Sequence, residues 1–167
     1  MLPETFLAHM PEVLKRLRAA GCRIVTAESC TGGLLAAALT HAAGSSDVVA
    51  GGFVTYSNSM KHHTLGISSG LLERHGAVSR EVAAAMAQGA LANTPDATLS
   101  IAITGIAGPG GGTQDKPVGL VWFGVAGGGQ VDTISHVFPG NRGEVRTQAV
   151  RTAMALLLDH AGRLAGG

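Results

Sequence analysis

Hydrophobic positions along this chain change period several times, and each change marks an element. Val13, Leu14 and Leu17 recur at helical spacing. They predict a helix from about Met10 to Ala20, with Pro11 in its first turn, a looser turn before it and Gly21 ending it. CRIVTAE then presents an apolar run around Ile24 and Val25 behind a glycine, the pattern of a short buried strand. A tight turn over Ser29 to Gly33 leads into LLAAALTHAAG, read as helix up to Gly44. DVVAGGFVTYS has the β-branched and aromatic content of a strand, with Gly51 and Gly52 marking a bulge or a close backbone approach. NSMKHHTLG reads as a short helix and Ser69 to His75 as another helical turn. Ser79 is placed to cap a helix running through EVAAAMAQGALAN.

Thr98 to Thr104 (TLSIAIT) is again strand-like and runs into the glycine-rich GIAGPGGGTQDKP. VGLVWFGVAG and VDTISHVFPG, joined by Gly127 to Gln130, carry a hairpin signal. The chain closes in an amphipathic helix from about Arg142 to Leu164, with Val145, Ala149, Ala153, Leu156 and Leu157 on its apolar face. This alternation predicts a single layered α/β/α domain over residues 1–167, with a mixed, mostly parallel sheet and an antiparallel C-terminal hairpin. Glycines gather where strands end, which is where open α/β sheets bind ligands. No linker or internal repeat interrupts the pattern.

Composition narrows the functional classes. The 167 residues are 46% hydrophobic and only 14% charged, so a packed core is expected and disorder is excluded as the main state. Aromatics are 4% and glycines number 25, which favours helices lying close on the sheet. A net charge of +1 offers no broad surface to nucleic acid or anionic membrane, so any anion site must be local. Cys22 and Cys30 fit no common zinc spacing and cannot staple a chain of this size, which points to a reducing compartment. Neither a signal-like N-terminus nor an apolar stretch long enough for a membrane span is present. A soluble, cytoplasmic protein is the expectation.

Three segments could carry chemistry. TAESCTGG sets Ser29 between a strand and a helix, with Cys30, Thr31, Gly32 and Gly33 after it, so that small residues leave backbone N–H groups free for an anion or a developing oxyanion. The same residues allow a plainer reading, in which Ser29 and Thr31 only cap the helix. A serine nucleophile needs a base. Lys15, Lys61 and Lys116 are the only lysines, and Lys15 falls on a solvent face. Lys61 lies five residues beyond Tyr56, past a strand end, and could share a cleft with Tyr56 and Ser29, or stand solvated on its helix. His62 and His63 point too far apart on a helix to share a metal, and Cys30 reads as packing rather than as a rival nucleophile. Thr104, Gly105 and Gly108 end a strand where backbone can approach a ligand, whereas Gly110 to Gln114 reads as a surface loop. Arg142 opens the last helix, where a guanidinium could clamp a phosphate or simply face solvent.

Taken together, TAESCTGG, GSS, GFVTYSN, KHH, HGAVS, ITGIAGPGGG, KPVGLVWFG and GNR resemble the CinA C-terminal domain family in order and over nearly the whole length. That family includes nicotinamide-nucleotide amidohydrolases. The resemblance implies hydrolysis of the carboxamide of nicotinamide mononucleotide (NMN) to nicotinate mononucleotide and ammonia in pyridine-nucleotide recycling, without metal or other cofactor. By motif match Ser29 would be the nucleophile, Lys61 its base and Tyr56 a hydrogen-bonding partner in the same cleft. Thr104 and the glycines after it would line the pocket. Arg142 is assigned to the phosphate on chemistry alone. Many family members carry this domain behind a larger one resembling molybdopterin-binding proteins, and the chain looks like the stand-alone form. The expected partner is a small nucleotide, with no direct nucleic-acid or membrane contact, and a homo-oligomer is anticipated. A nucleotide-holding regulatory module linked to competence or DNA damage, or an amidase for another small substrate, are the rival readings.

Overall fold

A computed structural model describes residues 2–166. A short helix α1 (Glu4–Leu7) precedes α2 (Met10–Ala19), β1 (Ile24–Glu28), α3 (Leu34–Leu39) and β2 (Val49–Val54). Helices α4 (Asn58–Leu65), α5 (Ser69–His75) and α6 (Arg80–Ala92) lead to β3 (Leu99–Gly105). The hairpin β4 (Leu120–Gly127) and β5 (Gln130–Val137) and the long helix α7 (Arg142–Ala165) complete the chain.

The five strands form one sheet in the order β2-β1-β3-β4-β5. β1 and β3 are buried along almost their whole length, as befits interior strands, their few polar residues included. Helices cover both faces, so the layering is α/β/α as expected. One apolar cluster joins α2, α3 and α7 to the sheet through residues such as Leu17, Leu35, Ile101, Phe123 and Val145. The other joins α4, α5 and α6 through Leu65, Leu72, Val82, Met86 and Ala102. Small residues allow close approach: a Cβ at Gly124 would collide with the Ala83 carbonyl of α6.

Parallel pairing was expected to dominate the mixed sheet, but the pairings divide evenly. β1 runs parallel to β2 and β3, whereas β3–β4 and β4–β5 are antiparallel. The segment 106–119 carries no helix, and without a crossover the chain re-enters beside β3 in the opposite direction. The hairpin turns on Gly128 and Gly129, whose φ angles of 58° and 77° suit a two-residue turn that matches the strand twist. Helix α3 stops at Leu39 rather than reaching Gly44, because the Thr40 hydroxyl donates to the Ala36 and Ala37 carbonyls and competes with a further turn. The bulge anticipated around Gly51 lies between β1 and β2, where the register skips Ala50.

Helix α3, after β1, packs on one face, and α4 to α6, before β3, pack on the other. The chain leaves β1 for α3 and leaves the neighbouring β3 through the helix-free segment 106–119, so two different connections border the C-terminal ends of these strands. Among the described residues no helix is long and apolar enough to cross a membrane.

Candidate active site

The turn after β1 is built by a residue that patterning did not single out. Glu28 ends β1 fully buried, and its carboxylate accepts from the N–H groups of Gly33, Leu35 and Ala36 at 2.8–3.1 Å. It therefore caps α3 in place of Ser29 or Thr31, whose hydroxyls make no capping bond. A carboxylate at the end of a buried strand with no cation nearby in sequence was the available signal, since such a group must find N–H donors. The Ser29 N–H continues the ladder to Ile103 O at 2.9 Å, and the Gly32 N–H closes the turn on Ser29 O at 3.0 Å. Gly32 and Gly33 are thus engaged. Among the described residues, the Cys30 and Thr31 N–H groups have no acceptor.

Of the three lysines, Lys61 is the one that reaches Ser29. Its side chain is 1% exposed, and Nζ lies 2.9 Å from Ser29 Oγ, 2.8 Å from Thr55 O and 3.4 Å from Tyr56 O. Helix α4 holds it there: Ser57 caps the helix by accepting from the Met60 N–H, and Lys61 faces inward with Leu65. Burial pushes its amine from the ordinary 10.5 down to about 8. A neutral amine can give its N–H groups to the two carbonyls and turn its lone pair to Ser29. Lys15, by contrast, is exposed beside Glu12, and Lys116 donates to His75 O.

Ser29, Cys30, Tyr56, Lys61, Thr104, Gly105 and Arg142 border a cleft of about 230 Å³, with Asn58, Ala77, Val78 and Ala107 completing the wall. Thr31, Gly32, Gly33 and Gly108, also expected to bind substrate, are not among the residues that border it. Thr104 is buried, and its hydroxyl donates to Ala77 O at 2.8 Å, tying β3 to the opposite rim. Cys30 is buried with its thiol pushed up to about 11 by burial, which suits packing rather than attack.

Tyr56 takes part in the cleft through both its carbonyl and its phenol. Its backbone carbonyl, not its phenol, approaches Lys61; the side chain is 60% exposed and its hydroxyl accepts from Arg142 Nη2 at 2.8 Å. Extended backbone at Ser57, the cap of α4, turns this residue outward at the cleft mouth. Arg142 also donates from Nη1 to Gly108 O at 2.9 Å, joining the two rims. A second arginine was missed: Arg146, one helical turn further along α7, donates to Thr31 O at 2.9 Å. The four-residue spacing from Arg142 was its signal, since such residues share a helix face. His62 and His63 border a different hollow with Glu73, and His62 Nδ1 lies 2.7 Å from Ile67 O.

The model of the CinA C-terminal domain matches residues 7–161. The chain belongs to that family. A CinA-like protein of Mycolicibacterium vanbaalenii is 58% identical over 83% of this chain, which spans only 33% of that protein. The match thus spans about a third of the length of the CinA-like relatives. A protein of Enterobacter agglomerans named nicotinamide-nucleotide amidohydrolase PncC is 50% identical, covering 83% of this chain and 84% of that one. The crystal structure of the competence/damage inducible protein CihA from Agrobacterium tumefaciens superposes with a TM-score of 0.89 at 43% identity, covering 95% and 97% of the two chains. This CinA domain accordingly shares its fold with relatives of nearly its own size as well as with the longer ones.

Proposed function

We propose that this CinA domain is a serine amidohydrolase that converts the carboxamide of nicotinamide mononucleotide to a carboxylate and ammonia. The observation that carries the reading is the buried contact of 2.9 Å between Lys61 Nζ and Ser29 Oγ beside unengaged backbone N–H groups. The name of the Enterobacter relative supports the choice of substrate.

An amide resists attack, so three demands must be met together: an activated oxygen, donors for the tetrahedral oxyanion, and a proton for the departing nitrogen. Lys61 as free amine takes the Ser29 proton while Oγ bonds to the carboxamide carbon. The Cys30 and Thr31 N–H groups receive the oxygen that becomes negative. When the C–N bond breaks, the Lys61 ammonium returns its proton to the nitrogen and ammonia leaves. Water then adds to the acyl-serine ester with Lys61 again as base, releasing the carboxylate and restoring Ser29. At the mouth, Arg142 has N–H donors beyond the two bonds it makes, which suits it to the nucleotide phosphate.

Ammonia release from nicotinamide mononucleotide by wild type and by Ser29→Ala tests the reading. Release by the first and not the second is expected. Binding of the nucleotide with no ammonia from wild type would make the domain a nucleotide-holding module instead.

A further inference from the structure

We propose that Arg146 is a positioning residue for the oxyanion donors. The Thr31–Gly32 peptide is held at both ends: its N–H donates to Ser29 O at 3.0 Å, and its carbonyl accepts from Arg146 Nη2 at 2.9 Å and from the Leu34 N–H at 3.3 Å. Fixing this peptide fixes the backbone just before it, which carries the Cys30 and Thr31 N–H groups. The bond from Arg146 spans 115 positions of sequence and is the tie between this turn and α7. The other bonds of the turn come from its own neighbourhood, from β3 or from Lys61 of α4, so Arg146 supplies its hydrogen bond from the helix that also presents Arg142 to the cleft.

Two buried orphans mark the spot. Arg146 Nε and Thr31 Oγ1 lie out of solvent with no hydrogen-bond partner among the described residues. A guanidinium chosen only for stability would find acceptors for its buried N–H groups. Here one donor goes unmatched while another reaches the Thr31 carbonyl, an arrangement expected where a site outranks stability. The charge is also felt within the turn: Arg146 favours the ionised form of Cys30, against the larger effect of burial.

The inference rests on Ser29 being the nucleophile, so its test uses two readouts. A fluorophosphonate probe reports attack by Ser29 independently of any amide, and ammonia release from nicotinamide mononucleotide reports turnover. Arg146→Met is expected to slow both labelling and kcat by roughly 50-fold, somewhat less than the ~10²–10³-fold of an oxyanion donor lost outright, with KM within about twofold. The rising pH limb set by Lys61 should stay where it is. Guanidinium ion in solution should restore part of the loss, and Arg146→Lys should fall between wild type and Arg146→Met. If Arg146→Met fails to fold, the lysine variant carries the same comparison. Labelling and kcat at wild-type values per folded molecule in both variants would overturn the proposal. So would a loss confined to KM and untouched by guanidinium. Failure of the probe to label Ser29 in wild type would overturn both this proposal and the nucleophile assignment. Labelling with no ammonia release would overturn only the choice of amide, and the ranking of labelling rates would still support or refute the role of Arg146.

Discussion

The cleft has a floor and a mouth that differ in almost every physical respect. At the floor, Ser29 and Lys61 are buried and in contact, and burial lowers the lysine's pKa to about 8. At the mouth, Tyr56 and Arg142 are exposed and joined by a hydrogen bond that water can replace. Chemistry that must strip a proton from an alcohol needs the first environment. Recognition of a charged substrate arriving from solvent needs the second. The contrast implies that damage at the floor appears in kcat and damage at the mouth in KM.

The largest effect should come from Ser29→Ala, which removes the attacking atom and is expected to lower kcat by roughly 10⁴-fold or more. KM should change little. A variant that kept a tenth of wild-type turnover would dissolve the distinction between floor and mouth.

Lys61 comes next, with roughly 10³-fold lost on substitution by Met and a signature in pH that no mouth residue shares. Only the neutral amine can act as base, so kcat/KM should rise with pH and level off above about 8. Stability should move in a linked way. The folded pKa is depressed, so between about pH 8 and 10.5 the unfolded chain binds more protons and the fold gains as pH rises. The penalty of the buried ammonium is fully present below pH 8. Denaturant unfolding of wild type relative to Lys61→Met should therefore improve by up to about 3 kcal/mol across that window. Parallel curves for the two proteins would show that Lys61 is not buried in its charged form.

How much of this contrast was legible beforehand follows from what sequence encodes. The elements were, because β1 and β3 are short, largely apolar segments bounded by turn residues and α7 keeps its stripe from Val145 to Leu157. The meeting of Ser29 with Lys61 was legible only as a possibility, since spacing leaves the inward turn of Lys61 undecided between a cleft and solvent. Strand order, which places β1 between β2 and β3, decides it. Glu28 and Arg146 escaped notice because their partners are backbone N–H groups and a backbone carbonyl, which carry no residue-type pattern. Which partner the Tyr56 phenol takes, Arg142, was not legible, because periodicity tells nothing of the direction a side chain takes just before a helix cap.

At the mouth, Arg142→Ala should raise KM for the mononucleotide by roughly 10- to 100-fold, the worth of a charge-assisted contact, with kcat nearly unchanged. The dephosphorylated nucleoside should bind equally weakly to wild type and variant. Equal KM values for nucleotide and nucleoside in wild type would remove the phosphate from the mouth.

The smallest effect, and the sharpest division between the two regions, belongs to Tyr56→Phe. The substitution deletes only the hydroxyl that accepts from Arg142 and leaves the Tyr56 carbonyl near Lys61 in place. If the phenol serves the mouth alone, KM should rise about threefold, since the bond is exposed and each partner can turn to water. The rising pH limb should remain near 8 because the groups around Nζ are untouched. A fall in kcat of tenfold or more, or a displaced limb, would mean that the hydroxyl swings inward during turnover, joining the two regions that the resting geometry keeps apart.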